Sequence, residues 1–74
     1  MLDKIREIMV AYVDVDAASI TADSRLGEDL GLTSFAVMSM MGDFEEAFDI
    51  TVDESELTGI FTVGDIMKYI ESKQ

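Results

Sequence analysis

Seventy-four residues with sixteen acidic side chains, five basic ones, no cysteine and no histidine make one small acidic domain with a net charge of −11. No disulfide or thiolate site is possible, the commonest metal ligand and general base are absent, and no serine or cysteine hydrolase triad can be assembled. The apolar fraction of 49% is well patterned, which argues for a folded core and against disorder.

The spacing predicts an amphipathic helix over residues 2–13. Leu2, Ile5, Ile8, Met9, Tyr12 and Val13 fall on one side, with Asp3, Lys4, Arg6 and Glu7 on the other. Residues 14–33 read as a long loop pinned to the core, with room for one helical turn. Asp14, Asp16, Thr21, Asp23 and Ser24 supply turn and capping chemistry, while Val15, Ile20, Leu26, Leu30 and Leu32 supply apolar anchors. A connection of about twenty residues is unusual in so small a domain and tends to be functional.

That loop leads into Glu28-Asp29-Leu30-Gly31-Leu32-Thr33-Ser34-Phe35. Gly31 allows a turn without a Cβ clash. Thr33 and Ser34 are both suited to cap the helix that follows. Periodicity predicts this helix over residues 34–48, with Val37, Met40, Met41, Phe44, Ala47 and Phe48 facing the core. Its opposite side carries Phe35, Met38, Ser39, Gly42, Glu45, Glu46 and Asp49. Phe35 and Met38 stand out there as apolar residues rimmed by carboxylates, the makeup of a docking surface, unless the long loop folds over Phe35. Three of the six methionines (Met38, Met40, Met41) lie in this helix, and methionine adapts to irregular or changing packing. Ser34 presents a hydroxyl at the positive end of the helix, where a phosphate is favoured, although such a serine taken alone is most simply a cap.

Ile50-Thr51-Val52 forms a short extended connector. Asp53, with Glu56 three residues on, has capping-box spacing for a brief helix anchored by Leu57 and Ile60 and ended by Gly59. Thr62 and Asp65 repeat that spacing ahead of a last helix with Val63, Ile66, Met67, Tyr69 and Ile70 on its apolar face. Residues 71–74 are polar and expected to fray. The expected fold class is all-α: a small bundle of three main helices and one short helix, with a long loop between helices one and two, spanning residues 1–74 as one domain.

The Glu28–Phe35 stretch, Phe44-Glu45-Glu46-Ala47-Phe48-Asp49-Ile50, Phe61-Thr62-Val63-Gly64-Asp65 and Tyr69-Ile70 follow one another in an order and spacing that resemble an acyl carrier protein over nearly the whole chain. The resemblance implies a carrier and not an enzyme. It implies that Ser34 receives 4′-phosphopantetheine from coenzyme A through a phosphodiester, and that acyl groups ride as thioesters on the thiol at the end of the arm. That sulfur has to be imported, because the chain has no cysteine. A tethered intermediate can visit several enzymes at high effective concentration. The implied partners are a phosphopantetheinyl transferase and acyl-transferring, synthase or ligase enzymes with basic docking patches. The second helix would be their contact surface, through Phe35, Met38, Glu45 and Glu46.

The resemblance places the chain in fatty-acid or related acyl-chain biosynthesis. Thr33-Ser34-Phe35 stands where the family usually has Asp-Ser-Leu. Ala36 and Ser39 stand where acids are common, whereas Glu45 and Glu46 match the later acidic pair. The Ser-Phe pair is also similar to specialised aminoacyl, peptidyl or D-alanyl carriers loaded by adenylating ligases. A third reading is an unmodified acidic interaction module that uses the same patch for a basic partner.

From Leu26 to Met67 there are ten acids and no lysine or arginine. Such a surface repels nucleic acid and anionic membrane and steers proteins with basic patches toward it. No apolar run is long enough to span a membrane, and the N-terminus lacks the basic-then-apolar order of a signal peptide. A cytoplasmic monomer is therefore expected. Crowded carboxylates repel one another in the compact state, so added salt or a divalent cation should raise the thermal midpoint. Melting curves recorded across a sodium chloride series check this, and a flat or falling midpoint would contradict it.

Overall fold

Periodicity and capping chemistry produce three α-helices in the computed structural model, which describes residues 1–74: α1 (Leu2–Met9), α2 (Ser34–Phe48) and α3 (Val63–Lys73). Two short 3₁₀ helices complete the all-α fold, Ala17–Ser19 within the long loop and Glu54–Gly59 between α2 and α3. Ile5 and Met9 from α1, Met40, Met41 and Phe44 from α2, and Val63, Ile66 and Ile70 from α3 meet in one buried core. The expected core face of α2 is thus in place, with Val37, Ala47 and Phe48 half-buried at its edges.

The loop from α1 to α2 is held at both ends and in the middle. Ile20, Leu26 and Leu32 enter the core, as predicted. Arg6 Nε donates to the Ile20 carbonyl at 2.8 Å, tying the loop to α1. Its second half pairs with the start of α3. Leu26 N–H donates to Phe61 O at 2.9 Å, Val63 N–H to Ser24 O at 3.0 Å, and Gly64 N–H to Ala22 O at 2.8 Å. A Cβ on Gly64 would lie 3.0 Å from Ala22 O, so a bare glycine suits this close approach. Gly31 adopts φ +67°, the left-handed turn expected of it. Val15 does not anchor the loop; it is solvent-exposed between Asp14 and Asp16.

Three further expectations are corrected. The first helix ends at Met9, not Val13. Ala11 and Tyr12 donate to the carbonyls of Ile8 and Met9, three residues back, so the apolar spacing continues through a tight turn instead of an α-helix. The Asp53–Glu56 capping box does not form. Asp53 Oδ1 accepts from Ser55 N–H at 3.0 Å, but Glu56 turns away to Lys73 and Tyr69, where a charged partner makes the stronger bond. The last four residues do not simply fray, since α3 runs to Lys73, whose Nζ lies 2.7 Å from Glu56 Oε1.

At the start of α3 the capping box is complete. Thr62 Oγ1 accepts from Asp65 N–H at 3.1 Å, and Asp65 Oδ2 accepts from Thr62 N–H at 3.1 Å and Phe61 N–H at 2.9 Å. Those backbone donors, Phe61 first, hold the Asp65 carboxyl below the usual carboxylate range. A lowered carboxyl stabilises the fold above its unfolded pKa, and that contribution disappears as pH falls through the folded value. Asp65→Asn should therefore melt below the parent at neutral pH, and the gap should close as pH drops below about 4. Paired thermal melts across that window test it, and a gap independent of pH would show that the carboxylate charge is not what matters.

Candidate functional site

Gly31 turns the chain and Leu32 buries, so the next two residues emerge at the start of α2. Of the two possible caps, Thr33 takes the role. Its backbone is extended, and Oγ1 accepts from Ala36 N–H at 3.1 Å. Ser34 is the first helical residue, is exposed, and its hydroxyl makes no hydrogen bond within the protein. The simple capping explanation for Ser34 therefore falls away. Thr33 O accepts from Val37 N–H at 2.9 Å, while the N–H groups of Ser34 and Phe35 have no acceptor in the chain. Free donors at the positive end of a fifteen-residue helix favour a phosphodiester on the neighbouring hydroxyl. Thr33 caps without charge, so it adds no repulsion toward such an anion.

Phe35 is 81% exposed and Met38 is 44% exposed, so the long loop does not cover them. Phe61, 69% exposed, joins them and was not singled out from the sequence. It stands just before the Thr62 cap, a position where an apolar residue can pack onto the first turn of the helix, and its exposure marks it instead as part of this surface.

Ser34, Val37, Met38, Leu57, Ile60 and Phe61, with Glu54 and Thr58, line a groove of about 360 Å³ between α2 and the 3₁₀ helix Glu54–Gly59. A second hollow of about 190 Å³ shares Met38, Glu54 and Leu57 and continues past Met41 and Gly42 to Val52. The result is a largely apolar trough with Ser34 at one end. A further hollow of about 330 Å³ lies on the long loop among Ser19, Thr21, Asp23 and Asp29, and does not include Ser34.

The first turn of α2 has no acidic residue. Glu28 and Asp29, just before it, are engaged by the Arg25 guanidinium, and that contact holds the Asp29 carboxyl below the usual range. In the second half of α2, Asp43 accepts from Tyr12 Oη, which raises the tyrosine pKa. Glu45 Oε2 accepts from Val52 N–H at 2.8 Å and is half-buried, so one of the two predicted contact acids is partly committed to the fold. Glu46 is exposed.

The all-helical bundle thus presents an unbonded serine at a helix N-terminus, beside an apolar trough, an arrangement that favours an attached anionic group. The family model described as "Phosphopantetheine attachment site" matches residues 3–70. The chain is similar to an acyl carrier protein from Thermotoga maritima, 37% identical over 73 residues, covering 99% of this chain and 90% of that one. It is equally similar to an acyl carrier protein from an Exiguobacterium species, 37% identical over 73 residues, covering 99% and 92%. A solved structure of acyl carrier protein from Enterococcus faecalis superimposes with a TM-score of 0.81 at 27% identity, covering 99% of this chain and 92% of the other. This chain belongs to the acyl carrier protein family and takes 4′-phosphopantetheine as a covalent prosthetic group. The group supplies a flexible arm ending in a thiol, on which acyl cargo is held as a thioester.

Because Thr33 makes the capping bond and Ser34 makes none, their alanine variants should differ. Thr33→Ala should cost about 1 kcal/mol, which lowers the midpoint of a domain this size by about 4–8 °C. Ser34→Ala should leave the midpoint nearly unchanged, since alanine is the better helix former. Thermal melts followed by circular dichroism decide it; the reverse ranking would make Ser34 the cap.

Proposed function

We propose that Ser34 is the attachment point of the arm, and that residues 1–74 act as one non-catalytic carrier domain. The observation that supports this most directly is the exposed Ser34 hydroxyl, unbonded because Thr33 performs the capping. In the modification, Ser34 Oγ bonds to the pantetheine-side phosphorus of coenzyme A, and adenosine 3′,5′-bisphosphate leaves. The Ser34 proton passes to a base of the phosphopantetheinyl transferase, as this chain has no histidine to receive it.

Partner enzymes dock on α2 around Ser34. Phe35 and Met38 provide an apolar contact next to the serine, and Glu46, with Glu45 behind it, meets basic side chains farther along. Fatty-acid or related acyl-chain synthesis is the setting that the acyl carrier relatives favour, and the cytoplasm is the compartment proposed. No helix is long and apolar enough to cross a membrane. The trough beside Ser34 receives the acyl chain, since a chain tethered there starts at its mouth and meets Val37, Met38, Leu57 and Ile60. A specialised aminoacyl or D-alanyl carrier is the second reading, supported by the exposed Phe35 after the serine and the acid-free first turn. Side-by-side loading by an acyl-carrier synthetase and an adenylating amino-acid ligase separates the two.

Incubation with coenzyme A and a broad-specificity phosphopantetheinyl transferase should add the mass of one phosphopantetheine to the parent and none to Ser34→Ala. Intact-mass spectrometry reads the result, with circular dichroism confirming that the variant is folded. Addition to the variant would move the attachment elsewhere.

A further inference from the structure

The 3₁₀ helix Glu54–Gly59 and the Ile60 that follows it form one wall of the trough, through Glu54, Leu57, Thr58 and Ile60. It is the weakest-held wall: none of its residues is fully buried, and only Leu57 and Ile60 are half-buried. By contrast, the α2 wall is backed by buried Met40, Met41 and Phe44. What fixes the 3₁₀ helix on its far side is polar. Tyr69 Oη of α3 accepts from Asp53 N–H at 3.1 Å and donates to Glu56 Oε1 at 2.8 Å. Lys73 Nζ reaches the same Glu56 oxygen at 2.7 Å and lies 5.5 Å from the centre of the Tyr69 ring. Asp53 is the cap of the 3₁₀ helix and Glu56 lies within it, so both ties grip its first turn.

Resting on the reading that the trough holds the acyl chain, we infer that Glu56, Tyr69 and Lys73 form a latch that sets how far this wall can yield, and thereby the length of chain the protein shelters. An exposed ion pair alone would hold little. Here one phenol hydroxyl bridges a backbone donor and a carboxylate that also takes the ammonium, so three groups fix one turn against α3. Leu57 and Ile60 line the trough and also pack against the buried core, and an entering chain replaces part of those contacts with contacts of the same kind. Opening then loses chiefly the latch bonds. These three are positioning residues that act on cargo through the wall, without touching the arm.

The test uses the protein carrying saturated acyl chains of increasing even length on its prosthetic arm. In the parent, the thermal midpoint should rise with each longer chain while added methylenes enter the trough, then level off. Tyr69→Phe removes one hydroxyl and keeps the ring, and Lys73→Met keeps the aliphatic stem. In both, the levelling point should move to the next longer chain or beyond. Exchange of the amides of residues 54–59 should also quicken in the unacylated variants. If both variants level off at the parental length, with the midpoint merely lower throughout, the latch is overturned and those residues are only structural. If the parent shows no dependence on chain length, the trough reading itself fails and the latch with it.

Discussion

The structure depends on burying three loop residues, Ile20, Leu26 and Leu32, among the helices. A chain of this size has little core to spare. Without these side chains α1, α2 and α3 would leave an apolar face uncovered, and the long connection would be a costly length of ordered backbone. With them, the loop becomes part of the bundle. Its backbone pairs with the start of α3 through Ala22, Ser24 and Leu26, and Arg6 secures its first half. The position of Ser34 follows, because Leu32 is buried and Gly31 turns just before it. The serine is therefore placed by packing that lies several residues upstream.

Charge is distributed more selectively than the net value of −11 suggests. Arg25 lies just outside the run without cations and engages both Glu28 and Asp29. Asp43 is bonded by Tyr12, Glu45 by the Val52 amide, and Glu56 by Lys73 and Tyr69. Near Ser34 the surface is apolar, through Phe35, Met38 and Phe61. In the proposed docking, long-range attraction of a basic partner and close contact at the serine are supplied by different parts of the surface. The first depends on ionic strength and the second on shape and burial.

Where local chemistry decides the structure, the sequence was readable. The bounds of α2, the Thr62–Asp65 box and the Gly31 turn follow from caps, periodicity and one backbone constraint. Local chemistry alone reads Ser34 as a cap, the family resemblance makes it a candidate site, and in the structure Thr33 makes the capping bond. The departures came from partners distant in sequence. Glu56 has capping-box spacing yet bonds to Lys73 and Tyr69, and that same contact holds the tail of α3. The α1 spacing could not distinguish a helix from a tight turn that keeps the same residues inward. Phe61 lies next to a cap in the sequence, and only the packed bundle reveals that it faces the groove at Ser34.

On the proposed reading, holding the attachment residue firmly and accommodating cargo of changing size are demands that fall on different elements. Ser34 begins a regular helix anchored by buried Met40, Met41 and Phe44, so its geometry is set by the core. The opposite side of the trough is a 3₁₀ helix with poorer hydrogen-bond geometry and no fully buried side chain. On that reading, its displacement disturbs the polar contacts to α3 and the half-buried packing of Leu57 and Ile60, and leaves Met40, Met41 and Phe44 in place. A small domain has too little stability to empty part of its core for each cargo. On the same proposed reading, placing the yielding element at the edge of the core, with its restraint in side chains at the surface, lets the trough adapt without loosening the serine.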